Sequence, residues 1–176
     1  MERANEDNRL KVLLVNGSPH RNGNTFTALS EVAKALSEEG IISEIVHIGN
    51  RPVQGCIGCY KCKEKGICAL LDRLFYSSGD LAQYKPAASV VVCRRGGATA
   101  TFDRLNKYFT ILNMPVVPSQ YWNSVHGRNP GEALQDAEGL QTMRTLGHNM
   151  AWMLRNLRNS NVPSETEKRI HTNFIR

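Results

Sequence analysis

Two short stretches hold most of the reactive potential in this chain. The first runs Lys11-Val12-Leu13-Leu14-Val15-Asn16-Gly17-Ser18-Pro19-His20-Arg21-Asn22-Gly23-Asn24-Thr25. An apolar run rich in β-branched residues breaks at Gly17, passes through small and hydrogen-bonding residues, and opens into a helical pattern near Thr25, which reads as strand, loop and helix. Gly17 and Gly23 let the backbone turn tightly, while Ser18, Asn24 and Thr25 offer side-chain donors. The N–H groups that open the following helix have no partner within it. A phosphate satisfies all of these donors together. The loop is not a Walker A motif, because no Gly-Lys-Ser/Thr closes it, and its glycines are wrongly spaced for G-x-G-x-x-G. A second reading of the same residues is an ordinary strand-to-helix turn in which Asn24 or Thr25 caps the helix.

The second stretch carries Cys56, Cys59, Cys62 and Cys68, spaced C-x2-C-x2-C-x5-C. Three cysteines so close together can wrap one corner of an iron–sulfide cube, with a fourth arriving from further along, so a [4Fe–4S] cluster is one reading. Tetrahedral zinc is another, although such sites commonly draw two separated pairs. A cysteine-rich loop without metal is the third. Lys61, Lys63 and Lys65 would offset the charge of a thiolate-bound cluster, or simply keep an exposed loop solvated. The chain has five cysteines, and an odd count with four of them inside thirteen residues points to a reducing compartment rather than a secreted disulfide framework. The fifth, Cys93, sits in a valine-rich run and reads as a core residue.

Little else has the pattern of a catalytic group. His126 and His148 are available acids, but no Ser-His-Asp or Cys-His set and no persuasive carboxylate pair accompanies them. The formal charge of +6 is spread along the chain, which favours anionic small ligands over a nucleic-acid reader. No apolar run approaches the ~20 residues of a membrane span, and Met1–Arg9 is polar rather than signal-like. These features give the expectation of a cytoplasmic protein with no nucleic-acid and no membrane partner.

With 176 residues, 41% hydrophobic and 22% charged, the chain has the composition of one globular domain. A first strand is expected at Lys11–Asn16, a helix at Thr25–Glu39 stopped by Gly40, and a second strand at Ile41–Ile48, with His47 a strand residue. A loop over 51–70 carries the cysteines. A short helix at Asp72–Leu81 and a buried strand at Ala87–Arg94 follow, then a helix at Thr99–Leu112 whose Phe102, Leu105, Tyr108, Phe109 and Leu112 read as core. A short strand is expected between Pro115 and Pro118. A long helical pattern over Glu132–Asn159 is interrupted by Gly139 and Gly147. Strands alternating with helices predict an α/β fold with a parallel sheet covered on both faces. Ligands in such sheets bind beyond the carboxyl ends of the strands, so the loops Ser18–Thr25, Arg94–Ala98 and Ser119–Asn123 are expected to converge there.

Gly17-Ser18-Pro19 with Asn22-Gly23-Asn24-Thr25, the segment Gly55-Cys56…Cys59…Cys62, and Arg94-Arg95-Gly96-Gly97 resemble the flavodoxin-like NADPH-dependent FMN reductase family, including the iron–sulfur flavoproteins. The likeness extends to Tyr121-Trp122-Asn123 and to Thr172-Asn173-Phe174-Ile175-Arg176. It implies a flavodoxin-like doubly wound parallel sheet over residues 10–160, between a flexible tail at 1–9 and an extension at 161–176. It also implies FMN with its phosphate on the first loop, where Ser18, His20, Asn24 and Thr25 match, and its ring near Arg95, Gly96 and Gly97. Tyr121 or Trp122 would wall the ring or the acceptor, unless Trp122 packs in the core.

On that resemblance the chain is an FMN-dependent oxidoreductase. NAD(P)H or an iron–sulfur donor reduces the flavin, and electrons pass to a small-molecule or protein acceptor in a homodimer or homotetramer. Relatives with similar cysteines also work as plain flavin reductases. The sequence departs from the family in one place: about one βα unit, on the order of 30 residues, is absent between Cys68 and Asp72, which puts the seat of the flavin in question. Two other classes of protein share these features. One is a non-catalytic metal-binding or interaction module on a flavodoxin-like shell; the other is a zinc-knuckle nucleic-acid binder.

Overall fold

The computed structural model describes residues 9–49 and 79–161, together with Leu71, Leu74, Phe75, Pro163, Ile170 and Thr172. The N-terminal tail, the cysteine segment 51–70 and most of the stretch beyond 161 lie outside the described residues.

Strand β1 (Lys11–Asn16) leads through the loop 17–23 into α1 (Asn24–Glu38), and β2 (Ile42–His47) returns beside β1. The pair is parallel, with Lys11 opposite Ile42 and Asn16 opposite His47. After a short helix α2 (Gly79–Ala82), β3 (Val91–Cys93) precedes α3 (Ala98–Ile111); β4 (Ser124–His126), a 3-10 turn at Glu132–Gln135 and α4 (Ala137–Leu157) complete the order. β3 and β4 are also parallel, with Val91 opposite Ser124 and Cys93 opposite His126. The expected strand at Pro115–Pro118 is reduced to one parallel bridge between Ala87 and Val116.

Packing explains why these segments settle as they do. Helix α1 buries Ala28, Leu29, Val32, Ala35 and Leu36, a stripe at i, i+3, i+4 spacing that faces a matching stripe on α4: Gly139, Thr142, Met143, Leu146, Gly147, Met150 and Ala151. Leu14, Val117 and Val125 close the same core. Gly139 and Gly147 do not interrupt α4. They lie inside it, and Gly147 marks the crossing: a Cβ there would stand 2.5 Å from the Ala35 Cβ and 3.0 Å from the Val32 carbonyl oxygen. At the far end of the crossing Glu39 accepts from Arg155 at 2.7 Å and pairs with His148 at 2.9 Å. His148 is thus a partner of α1's last turn rather than a free acid.

The sheet is split. Among the described residues β1 pairs only with β2, and β3 only with β4. One face of the first pair packs on the helices, while the other, with Leu13 at 63% and Val15 at 49% exposure beside exposed Ile42 and Val46, is open to solvent. A parallel α/β sheet ordinarily covers both faces. Cys93 is half-buried rather than fully enclosed, and of the apolar positions on α3 only Tyr108 is fully buried, stacked at 5.1 Å on Phe75.

Candidate functional site

The loop after β1 is shaped from below by Asn16, whose side chain is fully buried at the end of the strand. Its Oδ1 accepts from the Ser18 N–H at 3.0 Å and its Nδ2 donates to the Arg21 carbonyl at 3.1 Å. On β2, the His47 Nε2 lies 2.8 Å from the Ser18 carbonyl oxygen, so His47 joins the site from the neighbouring strand. The Ser18 Oγ accepts from the His20 N–H at 3.2 Å, and the Gly23 N–H reaches the His20 carbonyl at 3.4 Å. Three amides of the loop are therefore spent inside the protein.

The helix that follows is different. Gly23 is the cap residue of α1 and supplies no side-chain bond, and the first turn holds no acidic residue. Among the described residues the N–H groups of Asn24, Thr25 and Phe26 have no hydrogen-bond partner. Neither Asn24 nor Thr25 acts as the cap. Uncapped amides at the positive end of a fifteen-residue helix favour an anion.

The sequence-predicted site residues divide accordingly. Ser18 and Thr25 flank the uncapped turn, and His20 is exposed on the rim of the loop. Asn24 turns away from it: its Nδ2 donates to the Asn129 carbonyl at 3.0 Å, and its Oδ1 accepts from the Ala133 N–H at 3.3 Å. One amide hydrogen of Asn24 is left for a ligand. Arg95, Gly96 and Gly97 leave the carboxyl end of β3, with Gly97 at φ +85° capping α3, a left-handed conformation that glycine adopts without strain. Cys56, Cys59, Cys62 and Cys68 lie outside the described residues.

The third loop at this edge is 127–131, not Ser119–Asn123. Because β4 runs parallel to β3, Asn123 enters at the amino end, where its carbonyl accepts from the Val91 N–H. Tyr121 and Trp122 contact one another there with ring centroids 4.9 Å apart. They are 56% and 50% exposed, so Trp122 is not a core residue.

Arg94, Arg95, His126, Gly127, Arg128, Asn129, Glu132, Gln135 and Asp136 instead line an open cleft of about 660 Å³. Its two carboxylates are held by the chain itself. Glu132 accepts from the N–H groups of Arg128 at 2.6 Å and Asn129 at 2.9 Å, and these bonds, Asn129 first, lower its pKa. Asp136 caps α4 through the Gly139 N–H at 2.9 Å and accepts from the His126 N–H at 2.6 Å. Burial works to raise the Asp136 pKa, but those bonds and the His126 ring outweigh it and leave it lowered. His126 is thereby tied to Asp136, at 3.4 Å. Nothing in the local sequence marks Asn16, His47 or Arg128 as part of this edge, since each owes its place to residues on other elements.

Parallel strands, alternating helices and an anion-ready first turn define a flavodoxin-like α/β protein. Two solved structures share the architecture. RosB, with a bound 8-demethyl-8-formylriboflavin-5'-phosphate intermediate, aligns at TM-score 0.54 and 14% identity over 94% of this chain and 92% of its own. A flavodoxin from the domain Archaea aligns at 0.54 and 13% over 85% of this chain and all of its own. A family model described as NADPH-dependent FMN reductase matches residues 10–70. An iron–sulfur flavoprotein of Methanocaldococcus jannaschii is 28% identical over 189 aligned positions, taking in 83% of this chain and 98% of the relative. An iron–sulfur flavoprotein of Archaeoglobus fulgidus is 35% identical over 63 residues, 36% of this chain and 29% of the relative. The chain is thus similar to the NADPH-dependent FMN reductases over its first strand, loop and helix and to the iron–sulfur flavoproteins over most of its length. An alignment of 189 positions exceeds the 176 residues of this chain, so the Methanocaldococcus relative carries residues without a counterpart here.

Proposed function

We propose that the protein is an oxidoreductase that binds FMN and carries electrons through it to a second acceptor. The observation that carries this reading is the uncapped first turn of α1, set behind a loop that Asn16 shapes from the sheet. The free N–H groups of Asn24, Thr25 and Phe26 would receive the phosphate, with the hydroxyls of Ser18 and Thr25 at its sides. The loop 95–97, which carries no side chain beyond Arg95, leaves backbone free to lie along the ring. When bound, FMN supplies one- and two-electron chemistry between donor and acceptor. The chain's own part is to hold the phosphate, align the ring with the cleft, and set a positive charge nearby through Arg95.

NAD(P)H is the donor we assign, with a [4Fe–4S] cluster on Cys56, Cys59, Cys62 and Cys68 as an internal donor. We further assign a homodimer or homotetramer in the cytoplasm. Among the described residues no helix is long and apolar enough to cross a membrane. The split sheet and the open face of β1 and β2 favour a second reading, a non-catalytic interaction module that keeps the shell without the flavin.

The visible spectrum of protein purified without oxygen separates the two. Flavin bands that persist through gel filtration, and that weaken at least tenfold in affinity in Asn16→Ala, support the oxidoreductase. A colourless protein that takes up no added FMN sinks it. Broad absorbance around 400 nm, removed by replacing Cys59 with serine, would identify the cluster.

A further inference from the structure

The cleft between the loops that follow β3 and β4 has a charge arrangement of which the flavin reading uses only Arg95. Three of its lining residues are arginines: Arg94, Arg95 and Arg128. All three are exposed, and among the described residues none forms an ion pair within 4 Å with a carboxylate. The two carboxylates in the same lining are committed elsewhere. Glu132 accepts from the N–H groups of Arg128 and Asn129 and from the Asn129 side chain. Asp136 accepts from the N–H groups of His126 and Gly139. Arg128 is near enough to Glu132 for their charges to interact, yet its guanidinium is not engaged by it. Three guanidiniums against two carboxylates leave the lining net positive even with His126 neutral.

The arrangement has a physical logic. Backbone N–H groups and helix-capping bonds absorb the acidic groups into the loop framework, where they fix the shape of the 127–136 segment. The guanidiniums are left with their planar donor forks free, on residues that line one solvent-filled space. A guanidinium fork matches the paired oxygens of a phosphate or carboxylate, and several forks around one cleft suit a ligand with more than one negative group. The cleft shares a wall with the phosphate loop, because Asn129, which lines it, receives the Asn24 amide hydrogen at 3.0 Å. The loop residues 17–23 do not line it.

We propose that this cleft binds a multiply charged oxyanion, of phosphate or polycarboxylate type, at a site distinct from the loop between β1 and α1. As a binding site it stands on its own residues. As the seat of the second reactant it rests on the flavin reading: a donor or acceptor bearing such a group would be anchored beside the cofactor at the same edge of the sheet.

The test is calorimetric titration of pyrophosphate, and separately of citrate, into FMN-saturated protein at low salt. Arg94→Gln, Arg128→Gln and the surface control Lys34→Gln follow, each checked by its melting curve. At least one of the two anions is expected to bind saturably. Arg128→Gln and Arg94→Gln each weaken it about tenfold, Lys34→Gln less than twofold, and raising the salt from about 50 to 300 mM weakens it further. Tighter pyrophosphate assigns the site to phosphorylated ligands, and tighter citrate to polycarboxylates. If neither anion binds saturably, or if the arginine variants behave like Lys34→Gln, the proposal is overturned. The same titration without FMN keeps the two readings apart. Arginine-dependent anion binding in a protein that never takes up flavin upholds the cleft and removes the oxidoreductase, while flavin uptake with no anion binding does the reverse.

Discussion

Asn24, the first residue of α1, grips the loop beyond β4 with both ends of its amide: Nδ2 donates to the Asn129 carbonyl at 3.0 Å and Oδ1 accepts from the Ala133 N–H at 3.3 Å. The two sides of the ligand-binding edge, 105 and 109 residues apart in the chain, are joined at the helix end where an anion would sit. A Cβ on Gly127 would stand 2.8 Å from this same Nδ2, so the close approach also accounts for glycine at that position. Asn24→Ala is expected to cost about 1–2 kcal/mol, because it leaves the buried Ala133 N–H without its acceptor. Asn24→Asp keeps that acceptor but turns a carboxylate oxygen on the Asn129 carbonyl to which Nδ2 had donated, and sets a negative charge against the bound phosphate. Its FMN affinity should fall further than that of Asn24→Ala, which paired denaturation curves and flavin titrations would show.

The pH dependence follows from carboxylates whose folded pKa values are lowered. Asp136 is held down by the Gly139 and His126 N–H groups against the opposing effect of burial, and Glu39 by its hydrogen bonds to Arg155 and then His148. A depressed folded pKa adds stability that is complete above the ordinary carboxylate value and is lost as the pH falls through the folded one. Unfolding free energy should therefore decline below about pH 4. Asp136→Asn keeps one acceptor oxygen for the cap but loses the charge and the second acceptor, so that one of the His126 and Gly139 N–H groups goes unpaired; it should remove about 1 kcal/mol at neutral pH and make the acid decline shallower. Glu39 is half-buried and its partners His148 and Arg155 are more exposed, so its share should fade in part in high salt. Urea melts at pH 7, 4 and 3 provide the check; an unchanged acid slope in Asp136→Asn would remove this assignment.

Gly147 sits where α1 and α4 touch. Replacing it with alanine improves intrinsic helix propensity by roughly 1 kcal/mol, yet puts a methyl 2.5 Å from the Ala35 Cβ, which cannot swing aside. Overpacking should win, with a net loss of about 1–3 kcal/mol. Adding Ala35→Gly to Gly147→Ala should recover part of it. A stabilised Gly147→Ala protein would mean the helices cross elsewhere.

The two faces of β1 make opposite predictions for adjacent residues. Leu14 is 8% exposed and Leu13 63%. Leu14→Ala should cost about 2–4 kcal/mol, whereas Leu13→Thr should stay within about 0.5 kcal/mol. Equal losses in chemical denaturation would show that a partner or another part of the chain covers the outer face.

What could be read in the residues is what local rules decide. The strand, loop and helix from Lys11 to Glu38 fall within a residue of expectation, because alternation, the glycine break and the 3.6-residue stripe are all contained in the segment. The parallel α/β class follows from the order of such segments. The resemblance to the FMN reductases was legible too, since the Gly17–Thr25 loop keeps its chemistry in consecutive residues.

Tertiary structure decided the rest. Gly139 and Gly147 look like breaks to any local rule, and only the contact with α1 shows that α4 needs a residue without a side chain at the crossing. Strand β4 is three residues, Ser-Val-His, with no alternation to notice; its pairing with β3 makes it a strand. That pairing moved the third loop of the edge from Ser119–Asn123 to 127–131. It also brought Arg128 beside Arg94 and Arg95, and Asn129 beside Asn24. Such groupings form between residues far apart in the chain, where burial and hydrogen-bond partners come from other elements, so spacing along the sequence holds no trace of them.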